Sequence, residues 1–176
     1  MLALQGDFEA HEKALRAAGA EPVEVRSARE LAGVDGLVIP GGESTTMLKL
    51  LNYMDLKQPV IEFAKKKPVF GTCAGAILLA REVLHPAQES LNVMDLTVER
   101  NAYGRQIDSR IARLDGDLEA VFIRAPIIRR CGPGVKVLAE YDGDPVLVEE
   151  GRHMVATFHP ELTRDLRVHK LFLDKI

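Results

Sequence analysis

Val69-Phe70-Gly71-Thr72-Cys73-Ala74-Gly75 decides the reading of this chain. Pro68 to Phe70 is a short apolar run with the character of a buried strand, and it stops at a cysteine with glycine two residues before and two residues after. Ala76-Ile77-Leu78-Leu79-Ala80 follows, with the density of a helix. Strand, sharp turn carrying a nucleophile, helix: this is a nucleophile elbow, written G-x-C-x-G. The turn strains the backbone at the nucleophile and brings strand and helix so close that a Cβ at either flanking position would clash. The first turn of the helix offers free N–H groups, which favour a thiolate, and the Ala74 N–H points where an oxyanion would form. A small buried cysteine in a glycine-rich loop is the plainer alternative, and context has to decide between them.

The composition narrows the setting. The 176 residues suit one domain, 1–176, with a proper core, and 47% hydrophobic with 28% charged residues is the balance of a folded globular protein. Net charge is −3, and the longest basic run, Lys65-Lys66-Lys67, closes an expected helix, where cations complement the dipole. Nucleic acid is therefore not an expected partner. No apolar stretch has the length of a membrane span, and no signal peptide is evident at the start. Two distant cysteines, Cys73 and Cys131, do not make a disulfide framework, so the expected compartment is the cytoplasm.

Around the elbow, strands and helices alternate. Met1–Leu4 is read as a strand, Gln5-Gly6-Asp7 as a turn, and Phe8–Ala18 as a helix with Asp7 at its N-cap and Gly19 at its end. Val23–Val25 and Gly36–Ile39 are further strands, Met47–Leu51 and Val60–Lys67 further helices. Such alternation predicts a parallel sheet covered on both faces. The second half is β-rich, with strands expected at Leu96–Glu99, Ala120–Ile123, Val135–Leu138, Val146–Val148 and Met154–Thr157. Hairpin turns at Gly132-Pro133-Gly134 and Asp142-Gly143-Asp144-Pro145 would extend the same sheet with antiparallel strands. A last helix, Leu166–Ile176, would be capped by Thr163 or Asp165.

A cysteine nucleophile needs a base, and the base an orienting group. Of five histidines, His11 and His169 fall inside amphipathic helices and His85 and His153 in polar turns, so all four read as packed or solvated. His159 ends a β-rich run and precedes Pro160, which cannot continue a central ladder, so its imidazole belongs at the strand end where α/β sites assemble. Glu161 is placed to reach the second ring nitrogen. Pro40-Gly41-Gly42-Glu43-Ser44 also follows a strand, and its glycines let N–H groups face a developing negative charge, while Ser44 or Thr45 could cap the next helix. Cys131 has no histidine nearby and reads as structural.

These residues resemble the class I, triad-type glutamine amidotransferases and, within them, the glutaminase subunits of pyridoxal 5′-phosphate synthases. The matching text is Leu2–Gly6, Ile39–Thr46, Phe70–Gly75, Val98–Gln106, Phe122–Pro126 and Phe158–Thr163, spread over nearly the whole chain. The resemblance implies a flavodoxin-like, three-layer α/β domain with a mixed, mainly parallel central sheet. It implies Cys73 as nucleophile, His159 as base and Glu161 as its orienter, acting on L-glutamine through a cysteinyl thioester. Gly42, Glu43 and Ser44 with Arg100, Ile123 and Arg124 would hold the substrate. Gly41, Gly42 and Ala74 would bind the oxyanion, and Gln5 would help shape that loop. No metal or organic cofactor is implied, and ammonia would pass to a synthase subunit whose docking activates the glutaminase. Another amidotransferase branch and a non-catalytic flavodoxin-like interaction module are the rival readings; the Glu43-Ser44 and Arg100–Gln106 text argues against the first.

Overall fold

The computed structural model describes residues 1–101 and 109–176. In chain order its elements are α1 (Phe8–Ala17), α2 (Ala28–Ala32), β1 (Leu37–Ile39), α3 (Ser44–Tyr53), α4 (Lys57–Ala64), β2 (Val69–Thr72), α5 (Ala74–Leu79), β3 (Ala80–Leu84), β4 (Met94–Glu99), β5 (Arg110–Leu114), β6 (Leu118–Phe122), β7 (Ile127–Cys131), β8 (Val135–Tyr141), β9 (Asp144–Glu150), β10 (His153–Ala156) and α6 (Arg167–Leu173), with 3-10 turns at Asp115–Asp117 and Pro160–Leu162.

The central sheet runs β1-β2-β10-β9-β8. β2 pairs in parallel with β1 on one side and β10 on the other, and β9 and β8 then add antiparallel strands. Beyond β1, Leu2 bridges Val25 in parallel, and the Leu2 N–H donates to the Val38 carbonyl at 2.9 Å. The two N-terminal segments read as strands thus join the parallel half through a single bridge. Side chains alternate across this sheet with period two. Leu37, Ile39, Val69 and Val155 enter a core shared with α2 to α5, while Val38, Phe70, Met154 and Ala156 enter a second core shared with α1 and α6. Both faces are covered, which gives the flavodoxin-like three-layer arrangement. Phe70, Phe158 and Phe172 are at most 1% exposed, each contributing about 1.5–3 kcal/mol by removal from water.

The second half departs from the expected single extended sheet. β8 and β9 do extend it, joined by a tight turn in which Asp142 and Gly143 both have positive φ (51° and 83°), the geometry of a two-residue hairpin. β4 instead lies between β3 and β7 in a three-stranded sheet, and β6 pairs only with β5. Gly132-Pro133-Gly134 is accordingly no hairpin turn but the corner between two sheets. β3, β5 and β7 carry no clear alternation that would mark them in the sequence; β3 begins where the α5 helix was expected to continue. α4 stops at Ala64, with Lys65 as its C-cap, so the lysine triplet lies just past the helix. Asp7 is the N-cap residue of α1 without a side-chain bond, and Gly19 follows at φ 101°. Neither Thr163 nor Asp165 is the N-cap of α6, which is Leu166, although Asp165 Oδ1 accepts from the Arg167 N–H at 3.0 Å. Ala102 to Gln106 of the arginine-rich block lie outside the described residues.

Candidate active site

The elbow forms between β2 and α5. Cys73 sits at φ 47°, ψ −101°, a conformation costly for a residue with a Cβ. It is held there by its own N–H donating to the Ala156 carbonyl at 2.9 Å. The flanking glycines are required by close approach. A Cβ on Gly71 would lie 2.6 Å from the backbone of Gly75, and one on Gly75 would lie 2.2 Å from the Ile39 carbonyl oxygen.

His159 enters from the end of β10. Phe158, wholly buried, anchors the chain against Phe122 with ring centroids 5.7 Å apart, and the His159 N–H donates to the Val121 carbonyl at 2.8 Å. Pro160 opens the 3-10 turn Pro160–Leu162, which folds Glu161 back so that its Oε1 lies 2.7 Å from His159 Nδ1. Both residues are buried. Burial alone would lower the imidazole pKa, but the hydrogen bonds to Cys73 and Glu161 outweigh it and push it up to about 10. At neutral pH an imidazolium therefore faces Cys73, the partner that a reactive thiolate requires.

The loop after β1 lies over this pair. A Cβ on Gly41 would come within 2.4 Å of His159 Cε1 and 3.4 Å of the Cys73 Cβ, so only a glycine lets the loop approach the thiol this closely. Gln5 supports the loop from outside, its Oε1 accepting from the Glu43 N–H at 3.0 Å and its side chain filling the space beside Gly42. Glu43, not Ser44 or Thr45, caps α3. Its carboxylate accepts from the N–H groups of Thr45 (3.0 Å) and Thr46 (2.6 Å) and from the Thr46 hydroxyl (2.6 Å). Partial burial works to raise the Glu43 pKa, and these hydrogen bonds overcome it, leaving it at about 2. The helix consequently starts at Ser44, three residues before the apolar run that signalled it.

A cavity of about 410 Å³ opens over the thiol. Gln5, Gly42, Glu43, Ser44, Arg100, Ile123 and Arg124 all line it together with Cys73 and His159, so the structure gathers the residues singled out in the sequence around one space. Their side chains are not equally available. Arg100 Nη2 donates to Thr45 Oγ1 at 3.1 Å and lies 3.6 Å from Glu43 Oε1, tying β4 to the start of α3. The Ser44 hydroxyl donates to Gln88 Oε1 at 3.0 Å. Arg124 is exposed at φ 44°, with no side-chain partner among the described residues, and the Ile123 carbonyl lies 3.9 Å from Cys73 Sγ.

Sequence reasoning did not find every member. Asp7, Ile77, Asn101 and Pro126 also line the cavity, each beside a residue that was found. Asp7 offers a carboxylate oxygen within 4.8 Å of ligand-type atoms of His159 and Glu161, a grouping that could hold a cation, although His159 Nδ1 and Glu161 Oε1 are already bonded to each other. Gln88 had no signal at all. His11 and His169 were expected to be packed or solvated, and they are packed, wholly buried on the far side of Glu161. The available signal was position: His11 shares the buried face of α1 with Ala14 and Leu15.

A cysteine elbow facing a histidine–carboxylate pair at the carboxyl ends of parallel strands defines an amidotransferase site of the Cys-His-Glu type. The chain belongs to the SNO glutamine amidotransferase family, whose model matches residues 1–176. It is 62% identical to the pyridoxal 5′-phosphate synthase subunit PdxT of Solibacter usitatus, covering 100% of this chain and 97% of that protein. The subunit of the same name from Koribacter versatilis is 53% identical, covering 100% and 94%. Among solved structures, a glutamine amidotransferase superimposes with a TM-score of 0.92 at 46% identity, over 99% of this chain and 96% of that one. No helix among the described residues is long and apolar enough to cross a membrane.

Proposed function

We propose that residues 1–176 act as one glutaminase domain, hydrolysing L-glutamine to L-glutamate and supplying the ammonia to a pyridoxal 5′-phosphate synthase subunit. The observation that carries this is that Cys73 and His159 line one cavity, with Glu161 bonded to His159 from behind and the glycine loop closing over the thiol. Cys73 attacks the carboxamide carbon as the thiolate paired with the His159 imidazolium, and His159 gives its proton to the departing ammonia, leaving a thioester and a neutral imidazole. The same imidazole deprotonates water, whose hydroxide displaces the Cys73 thiolate; the thiolate–imidazolium pair is regenerated, and the proton of the new carboxylic acid passes to the released ammonia. The Ala74 N–H and an N–H of Gly41 or Gly42 receive the oxyanion. Arg124, exposed and with no side-chain partner among the described residues, suits the substrate α-carboxylate. Arg100, bound to Thr45, supports the loop of Gly42, Glu43 and Ser44, whose backbone takes the α-ammonium end together with the Ile123 carbonyl. The compartment of such a biosynthetic step is the cytoplasm.

Glutamate release from L-glutamine tests this reading, measured with the chain alone, with the synthase subunit added, and with Cys73→Ala. Activity that rises on mixing and vanishes in Cys73→Ala is the expected result. Turnover that survives in Cys73→Ala would overturn the assignment of the nucleophile, and equal turnover without the partner would redirect the search for the ammonia acceptor.

A further inference from the structure

Behind the His159–Glu161 pair lies a second set of buried polar groups that the reaction as written does not use. Glu161 has two oxygens, and only Oε1 is bonded to His159. Oε2 is buried, makes no hydrogen bond of regular geometry, and lies 3.2 Å from Nε2 of His11, with both side chains at 0% exposure. The same Nε2 is 2.9 Å from Thr72 Oγ1 on β2, one residue before the nucleophile. On the other side of the ring, His11 Nδ1 is 3.0 Å from Nε2 of His169 on α6. His169 Nδ1 has no hydrogen-bond partner among the described residues.

Elementary bonding rules select one arrangement of protons. Burial first, then the neighbouring His169 and His159 and the N-terminal ammonium, hold the His11 pKa well below its usual value, and burial lowers His169 to about 4. Both rings are therefore neutral and carry one N–H each. Were the His11 proton on Nδ1, its bare Nε2 would set a lone pair against an ionised, buried carboxylate oxygen, leaving that oxygen with no donor. With the proton on Nε2, His11 donates to Thr72 Oγ1 at 2.9 Å, and the same N–H presents its positive end to Glu161 Oε2, 3.2 Å from the nitrogen. His169 Nε2–H then donates to His11 Nδ1, and the orphan His169 Nδ1 is a bare acceptor. Both ring protons then point at acceptors, Thr72 Oγ1 and His11 Nδ1.

We propose that His11 is a positioning residue for this site: its Nε2–H, 3.2 Å from Glu161 Oε2, keeps the Glu161 carboxylate turned so that Oε1 meets His159 Nδ1. Glu161 in turn keeps His159 as the imidazolium beside Cys73. The His11–His169 contact, from α1 to α6 across the second core, sets the tautomer that makes this possible. The proposal rests on the reading of Cys73, His159 and Glu161 as the reacting set, and the Cys73→Ala control separates failure of that reading from failure of this one.

The test compares His11→Met, which fills space without a donor, with His11→Gln, which restores one, in glutamine turnover with the synthase subunit present. His11→Met is expected to lower kcat about tenfold to a hundredfold with KM nearly unchanged. The basic limb of its pH profile should move to lower pH, because a disordered Glu161 no longer holds the His159 proton. His11→Gln should recover most of both. Unchanged kcat and pH profile in His11→Met would overturn the proposal, and so would equal losses in both variants with an unmoved basic limb, the signature of a purely structural role. Should the variants fail to fold, long-range ¹H–¹⁵N spectra of the histidine rings in the unaltered protein decide. A His11 proton on Nε2 supports the proposal, and one on Nδ1 overturns it.

Discussion

His159 Nδ1 and Glu161 Oε1 lie 2.7 Å apart although only one residue separates them in the chain. The proline between them opens a 3-10 turn, and that turn points two side chains at each other where an extended strand would place them side by side on one face of a sheet. This pair holds the proton on the His159 ring.

Folded His159 titrates near 10, against an ordinary value of 6.5. Its proton therefore contributes stability in full below pH 6.5, and the contribution is lost as pH rises through about 10. Glu161→Gln removes one of the two groups that raise it. Urea unfolding at pH 6 and pH 9.5 should show a smaller fall in stability for Glu161→Gln than for the unaltered protein. An identical fall in both would mean that Glu161 does not hold the proton.

Glu43 presents the opposite sign. Its pKa of about 2 lies below the ordinary 4.5, so its cap on α3 stabilises fully above pH 4.5 and fades as pH falls towards 2. Replacing it by alanine should cost about 1 kcal/mol at pH 7, the usual worth of an N-cap. The difference between the two proteins should narrow between pH 4.5 and 2, as followed by thermal unfolding.

Gly75→Ala places a methyl group 2.2 Å from the Ile39 carbonyl oxygen, a backbone atom in the central sheet that cannot move aside cheaply. A loss of about 3 kcal/mol is expected, at the upper end for overpacking, with Cys73 displaced and turnover reduced as well. Gly143→Ala is a useful contrast: nothing lies within 4 Å of its Cβ, and the penalty comes from φ 83° alone. Chemical denaturation of both variants should show Gly75→Ala as the costlier.

Arg124→Ala should raise KM for glutamine about tenfold or more while changing kcat less, because a charge-assisted pair with the substrate carboxylate is made in ground and transition states alike. Arg100→Ala should instead loosen the start of α3, lowering kcat and stability together, since its head is bound to Thr45. Steady-state kinetics beside melting curves distinguishes the two arginines.

The sequence by itself determined the local chemistry. Glycines two residues either side of Cys73, a proline after His159 and a double glycine after β1 are each demanded by backbone geometry at a single turn, so they are legible without a fold. The alternation of the first half likewise showed the parallel sheet. Tertiary structure decided what distance along the chain conceals. The second-half strands part into three sheets because their partners are chosen by packing on two cores, and β3, β5 and β7 lack the alternation that would mark them. Whether Glu43 caps a helix or faces a ligand depended on where α3 begins. His11 and Glu161, 150 residues apart, meet only because α1 packs against the 3-10 turn Pro160–Leu162. A buried polar contact between a helix and a turn leaves no periodic signal in either, and only the folded core reveals that the imidazole has a carboxylate to hold.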